Sequence, residues 1–394
     1  MREGIFHKLR ANFALFDKID KPIFYTVIVL ILLGVIFVFS SSFYIAVNLD
    51  VEPHYFSIRQ IIWAAVSIAA FFFFILFDYK DLQKYVKPLV FITIVLMLMV
   101  FIPGLGRTSG GARRWLDLRA FSFNPSELAK ITVIIYLSHI LTKKQAKLEN
   151  FTFGILPPLL LVAAIFFIIL MQSGFSIAVV LLLVSFILFF VGGASIKHIL
   201  SILVLSLPVL VVFIYNVAYR LERIFAYLNP WEDPSGRGYH IIQSLRAFAQ
   251  GGLSGRGLGN SSQKIVSLPT PHTDFIYSVI AEETGIWGCL VILALYFVFF
   301  IRGIIIAFNC EDKFGQLLSF GIVSLFTLHA LLNIGIATGI IPPTGVSLPF
   351  ISYGGSSLLI MAVACGILLN ISAHNKIKTK IRVKDVENII EEGF

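Results

Sequence analysis

The chain has 394 residues, of which 58% are hydrophobic and 13% charged, and its formal net charge is +9. Soluble domains do not carry so much apolar sequence in long runs, so the composition belongs to a polytopic membrane protein. No polar segment is long enough to build a second core, and residues 1–394 are expected to form one membrane domain.

Runs of about 20 apolar residues, the length that crosses ~30 Å of hydrocarbon, fall near residues 22–46, 57–77, 88–105, 126–142, 153–171, 174–192, 196–217, 274–307, 315–340 and 349–372. The expected fold is an all-α polytopic bundle of ten transmembrane helices. The close spacing of 126–142, 153–171 and 174–192 leaves nine as the alternative. The first run lacks a small-residue cleavage site and reads as a retained helix rather than a signal peptide. An even count puts both termini on one side. Lys18, Lys21, Lys80, Lys84, Lys87, Lys143, Lys144, Lys147, Lys376, Lys378 and Lys380 all fall on that side, whereas the connections near 47–57, 172–174 and 341–348 carry no Lys or Arg. By the positive-inside rule the N-terminus (1–21) and the tail (373–394) are cytoplasmic. This asymmetry accounts for much of the +9 charge, and no nucleic-acid partner is implied.

Two outer connections depart from the pattern. The third-to-fourth connection holds Arg107, Arg113, Arg114 and Arg119. The large extracytoplasmic loop between helices 7 and 8, residues 218–273, holds Arg220, Arg223, Arg237, Arg246, Arg256 and Lys264. Arginine suits bidentate binding of phosphate, so an anionic ligand on the outer face and anchoring to lipid headgroups are both open.

At the start of the fourth span, Asn124, Pro125 and Glu127 have the pattern of a capping box. Lys130 shares a helix face with Glu127 at i,i+3 and lies in apolar surroundings, so the two are expected to pair and to line an outer-facing cavity. In the long loop, Ile241, Ile242, Leu245 and Phe248 are spaced for a short amphipathic helix lying on the membrane surface, ended by Gly251-Gly252. The glycine-rich run to Gly259 lacks the Gly-Lys-Ser/Thr ending of a P-loop, and either tight turns or close approach to a ligand explains it. Thr273 or His272 is placed to cap the eighth helix, with Asp274 in its first turn. That assignment satisfies the helix dipole, and it equally suits a catalytic carboxylate at the outer surface. A helix from Asp274 to Ile301 would be roughly 42 Å long, longer than the hydrocarbon core. Its start is therefore expected to project into a polar cavity. Glu282 and Glu283 follow two turns in, and a hydrogen-bonded structural network explains them. Cys289, Cys310 and Cys365 have no metal-ligand spacing, and no His/Cys cluster suits zinc.

These residues also carry a resemblance. Gly111-Ala112-Arg113-Arg114-Trp115-Leu116, Phe123-Asn124-Pro125-Ser126-Glu127-Leu128-Ala129-Lys130, Asn229-Pro230-Trp231-Glu232-Asp233-Pro234 and Leu268-Pro269-Thr270-Pro271-His272-Thr273-Asp274-Phe275 resemble the SEDS family, for shape, elongation, division and sporulation. The likeness continues through Ala281-Glu282-Glu283-Thr284-Gly285, Pro343-Thr344-Gly345-Val346 and Leu348-Pro349-Phe350-Ile351-Ser352-Tyr353-Gly354-Gly355-Ser356-Ser357, in family order over nearly the whole chain. Gly257-Leu258-Gly259-Asn260-Ser261 with Gln263-Lys264 is more like the division branch, FtsW, than the elongation branch, RodA. One departure is Gln172-Ser173-Gly174, where the family usually has Gln-Pro-Asp, so no role of that aspartate transfers here. Another is Asn124, which stands where Gln is common.

The resemblance implies an inverting glycosyltransferase that polymerises lipid II, an undecaprenyl-pyrophosphate-linked disaccharide peptide, on the outer face of the cytoplasmic membrane. It also implies a class B penicillin-binding protein as partner. The family's essential aspartate maps onto Asp274. Candidate substrate-binding residues are Arg113, Arg114, Glu127, Lys130, Arg246, Lys264 and His272. A divalent cation, Mg2+ or Mn2+, would suit the pyrophosphate, but no ligand set designates one. A lipid II flippase and a non-enzymatic scaffold are the alternative readings.

Overall fold

The computed structural model describes residues 16–109, 112–119, 121–215, 218–261 and 271–392, with the backbone alone at 109, 209, 210, 214, 218–220 and 377–392. Helix α1 (Lys21–Asn48) begins where Asp20 Oδ1 accepts from the Ile23 N–H at 3.2 Å and Pro22 fills the first turn. Helices α2 (Tyr55–Leu76) and α3 (Leu82–Met99) follow. A small antiparallel sheet then interrupts the helices: β1 (Gly106–Ser109), β2 (Ala112–Asp117) and β3 (Ser122–Phe123), paired in that order. The all-α expectation holds for the bundle, and this sheet is an addition to it. Its strands are too short, and too rich in arginine, to show the alternation that marks a strand in sequence.

Helices α4 (Pro125–Lys143), α5 (Leu156–Met171), α6 (Phe175–Gly192) and α7 (Ile196–Tyr215) come next, then α8 (Ala218–Leu228) and α9 (Tyr239–Gly251) in the long polar stretch. Helices α10 (Ile276–Phe308), α11 (Lys313–Ala337) and α12 (Gly355–Glu392) complete the chain. Among the described residues, nine helices are long and apolar enough to cross a membrane. The tenth run counted in the sequence is α4, which is helical but carries Glu127, Lys130, His139 and Lys143. It packs against α3, α5, α6, α11, α12 and β2 and is buried around most of its circumference. A helix largely enclosed by protein does not need the uniform apolarity of its neighbours. Helix α7 is the opposite case, with only 6% of its most apolar stretch buried.

Helix α9 packs much of its apolar face on protein, leaving Leu245 exposed. Ile241, Ile242 and Ala247 are buried, and Ala247 joins Phe275, Val279 and Ile336 in a small core. Ser244 Oγ, also buried, lies 2.6 Å from Ser278 Oγ and donates to Ala337 O at 2.5 Å. The amphipathic pattern was legible, but periodicity does not distinguish a lipid face from a protein face.

Helix α10 is broken at Gly285, where φ is +67°. The break releases backbone groups that must find partners in an apolar setting, and the glycine-rich loop supplies them. Arg256 and Gly257 N–H groups donate to Glu282 O at 2.9 Å and Glu283 O at 3.0 Å, and the Ile286 N–H donates to Gly252 O at 3.0 Å. A Cβ at Gly285 would collide with Leu253 O and Gly255 N. Both buried glutamates join this junction: Glu282 accepts from Ser261 Oγ and lies 3.5 Å from Arg256 Nη1, and Glu283 accepts from Ser40 Oγ at 2.6 Å. Close backbone approach to α10 explains Gly251 and Gly255, whereas Gly252, Gly257 and Gly259 serve turns at positive φ.

Candidate active site

Asp274 sits in the turn just before α10, one residue ahead of the N-cap Phe275, which makes no side-chain cap bond. It is therefore not in the helix's first turn, and capping the helix is not what holds it. Three consecutive carbonyls of this turn are pinned from α11 and the segment after it. The Tyr353 N–H donates to His272 O at 2.8 Å, Ser352 Oγ to Thr273 O at 2.6 Å, and Asn333 Nδ2 to Asp274 O at 3.0 Å. The carboxylate faces Gly345, whose φ of +77° requires glycine; a Cβ there would lie 3.4 Å from Asp274 Oδ2.

Two arginines from different elements act on this carboxylate. Arg114 comes from β2. The β1–β2 ladder is bulged there: Trp115 pairs with Arg107 and Arg113 with Thr108, so Arg114 is the extra residue of the bulge, and its guanidinium stacks over the Trp115 ring, 4.4 Å from the centroid. Arg223 comes from α8, which is fastened to the segment after α11 by Tyr227 Oη to Ile340 O at 2.7 Å and by Arg223 Nη1 to Pro343 O at 3.1 Å. Asp274 keeps only part of its surface open. Burial raises its carboxyl above the usual range, while Arg114 and Arg223 pull it back down.

A second charged group lies along α11. Lys130 Nζ is 2.8 Å from Glu127 Oε2 and 2.9 Å from His329 Nε2, and its side chain is fully enclosed. The expected pair forms, but it is sealed in the protein rather than open to a cavity. Asn124 does cap α4, accepting from the Ser126 N–H at 3.1 Å. The reciprocal half of the capping box is missing, because the Asn124 N–H donates to Ser356 Oγ at 3.0 Å. Glu127 is taken by Lys130 instead. At the family departure, Gln172 is buried and accepts from Ser126 Oγ at 2.9 Å while donating to Met97 O at 2.7 Å, tying α4 to α3.

The remaining expected residues fall elsewhere. His272 is packed between Phe56 and Tyr353, with ring centroids 4.9 and 5.6 Å away. Burial lowers its pKa to about 4, so its ring is neutral near pH 7. Arg246 lies on the exposed side of α9, opposite the face packed on α10 and α11, and Lys264 lies outside the described residues. Arg223 and Asn333 were not singled out in the sequence. One arginine among many in a long loop has no distinguishing signal, and an asparagine inside an apolar helix is visible only as an intramembrane polar residue whose partner is unknown. Among the described residues no three His, Cys, Asp or Glu side chains converge to hold a metal, and no step below is routed through a cation.

Comparison with known proteins places this geometry. Residues 20–377 match the FtsW/RodA/SpoVE family of cell cycle proteins. The chain is 41% identical to the probable peptidoglycan glycosyltransferase FtsW of Geobacter metallireducens, over 93% of this chain and 98% of that one. It is 40% identical to stage V sporulation protein E of Bacillus subtilis, over 91% and 99%. Among solved structures it resembles a chain of a peptidoglycan synthase complex, described as coordinating polymerization and crosslinking, with a TM-score of 0.73 and 27% identity over 91% of this chain and 98% of that one. The rod shape determining protein RodA of Thermus thermophilus shares the fold, at a TM-score of 0.67 and 24% identity over 90% and 96%. The chain is an integral membrane protein and belongs to the FtsW/RodA/SpoVE family.

Proposed function

We propose that this protein is the peptidoglycan glycosyltransferase of a division machinery, polymerising lipid II on the outer face of the cytoplasmic membrane. In this reading residues 1–394 form one membrane domain of ten spans, with α4 the tenth and both termini cytoplasmic. The observation that carries the proposal is the Asp274 carboxylate, held by a pinned turn and flanked by Arg114 and Arg223, in a chain 41% identical to a probable FtsW.

The chemistry suits this arrangement. Asp274 accepts the proton of the acceptor sugar's 4-hydroxyl as that oxygen forms a bond to the anomeric carbon of the lipid-linked donor. The anomeric carbon–oxygen bond to pyrophosphate breaks on the opposite face, with inversion. Undecaprenyl pyrophosphate departs as a stable anion, so one carboxylate suffices where an ordinary glycoside would also need an acid. A positioned base contributes about 10²–10⁴-fold in rate. The larger demand is stabilisation of the departing charge, and among the described residues Arg114 and Arg223 are the cations whose charge acts on the carboxylate. Arg113, Arg246 and Lys264 belong to the wider basic outer surface that draws the anionic donor in. Glu127 and Lys130 hold the floor of the site through α11, and His272 holds its turn. The likeness to a peptidoglycan synthase complex supports a class B penicillin-binding protein as the crosslinking partner.

The test is reconstitution. Purified protein, alone and with its cognate penicillin-binding protein whose transpeptidase is inactivated, is incubated with labelled lipid II and the products are resolved on a gel. Glycan ladders are expected from the wild type, with Asp274→Asn folded and silent. Ladders from Asp274→Asn would remove the base. Absence of ladders from every folded, associated combination would sink the glycosyltransferase reading.

A further inference from the structure

Asn333 is fully buried on α11, and its two N–H bonds are both spent on backbone carbonyls: Asp274 O at 3.0 Å and Val346 O at 2.7 Å. The orientation of the amide follows from that pair, because the flipped form would set an oxygen against two oxygens. Among the described residues its own Oδ1 is buried without a hydrogen-bond partner. Leaving a buried amide oxygen unpaired is unfavourable, so a residue serving stability alone gains little from this arrangement.

What the amide does is join two pieces of the site. Asp274 carries the carboxylate, and Val346 follows Gly345, the residue against which Asp274 Oδ2 rests. Ser352 Oγ also reaches this stretch, accepting from the Leu348 N–H at 2.8 Å, but it holds Thr273 O; Asn333 is the donor that joins Asp274 itself to Val346, the residue next to Gly345. One turn earlier on α11, His329 touches Lys130 Nζ at 2.9 Å. Residues four apart share a helix face and are about 6 Å apart along the axis, so α11 holds the Asp274 turn and the Lys130–Glu127 pair to one rigid scale.

We propose that Asn333 is a positioning residue for Asp274, setting through its amide bridge the carboxylate's distance from the Gly345 segment. This rests on the reading of Asp274 as the base. A displacement of about 1 Å at a reacting group is enough to lower rate ~10²-fold. The bridge touches no substrate, so the loss belongs to kcat and not to donor KM.

Asn333→Leu keeps the branched outline and the number of side-chain heavy atoms, at a larger volume, and removes both hydrogen bonds. In the lipid II polymerisation assay, with thermal unfolding in detergent as the check on folding, its kcat is expected to fall about 10²-fold with donor KM changed less than about threefold. Ser352→Ala removes the neighbouring pin on Thr273 and the acceptor of the Leu348 N–H but leaves the Asn333 bridge, and is expected to lose less than about tenfold. If Asn333→Leu does not fold, Asn333→Ser, small enough to admit a water, is judged by the same criteria. A folded variant with kcat within about twofold of wild type overturns the proposal. So does a loss confined to KM, or one no larger than that of Ser352→Ala. Wild type and Asp274→Asn run alongside keep the two claims apart: an inactive wild type or an active Asp274→Asn breaks the underlying reading, whereas a silent Asp274→Asn with a normal Asn333 variant breaks this one alone.

Discussion

At the scale of the residue, the site rests on opposed effects on Asp274. Burial favours its neutral form, and the two arginines favour its charged form. Because the net shift is upward, the acid limb of the rate profile, where Asp274 protonates and the base is lost, should lie above the ordinary carboxylate value of 3.8. Arg114→Ala removes one of the two charges that lower it, while Arg223 remains. The limb should then move further toward higher pH, as read from initial polymerisation rates across pH. A limb that stays in place or moves to lower pH takes Arg114 out of the carboxylate's field. The Lys130–Glu127 pair invites a different experiment. Removing one partner of a buried ion pair strands the other charge at about 3–5 kcal/mol. Lys130→Met should therefore lower the unfolding temperature more than the double substitution Lys130→Met/Glu127→Gln. Equal losses would mean that the pair is not coupled.

At the scale of the element, the instructive case is the broken α10. Gly285→Ala places a Cβ against Leu253 O and Gly255 N at a φ of +67°. A strained backbone of this kind costs about 1–3 kcal/mol before the collision is counted. The expected result is a lower unfolding temperature together with faster hydrogen exchange at the Arg256 and Gly257 amides, which donate across the break; unchanged exchange would show that the loop does not depend on the break. The same element shows what sequence reasoning reaches and where it stops. The excess length of the run from Asp274 was legible, and so was a structural network for Glu282 and Glu283. The break itself was not, since a single Gly in an apolar run is usually tolerated within a helix. Likewise the pairing of Glu127 with Lys130 follows from i,i+3 spacing, whereas His329, 199 residues away, is a tertiary partner that no local pattern encodes. The pins on the 272–274 turn come from Asn333, Ser352 and Tyr353, and long-range hydrogen bonds of this kind leave no periodic trace. Arg114 was found as one of an arginine cluster, but only the bulge in the strand ladder separates it from Arg113.

At the scale of the whole molecule, the helices differ in how far the protein encloses them, from the peripheral α7 to the largely buried α4 and α12. The proposed orientation is open to direct measurement. All three cysteines are buried, so the unaltered chain offers little background for thiol labelling. A cysteine introduced at exposed Trp231 should react with a membrane-impermeant maleimide in intact cells, and one at Lys80 only after permeabilisation. The reverse pattern would invert the topology and move Asp274 to the cytoplasmic side.

The enclosure of α4 has a consequence for how the chain is made. A segment with Glu127 and Lys130 near its start partitions poorly into hydrocarbon by itself, yet it leaves the ribosome well before the helices that cover it. His329 follows Lys130 by 199 residues, which at ~5–20 residues per second is about 10–40 s of synthesis. Through that interval the half-made protein must keep α4 in a hydrated or escorted state, so this helix is where assembly waits for the C-terminal third of the chain.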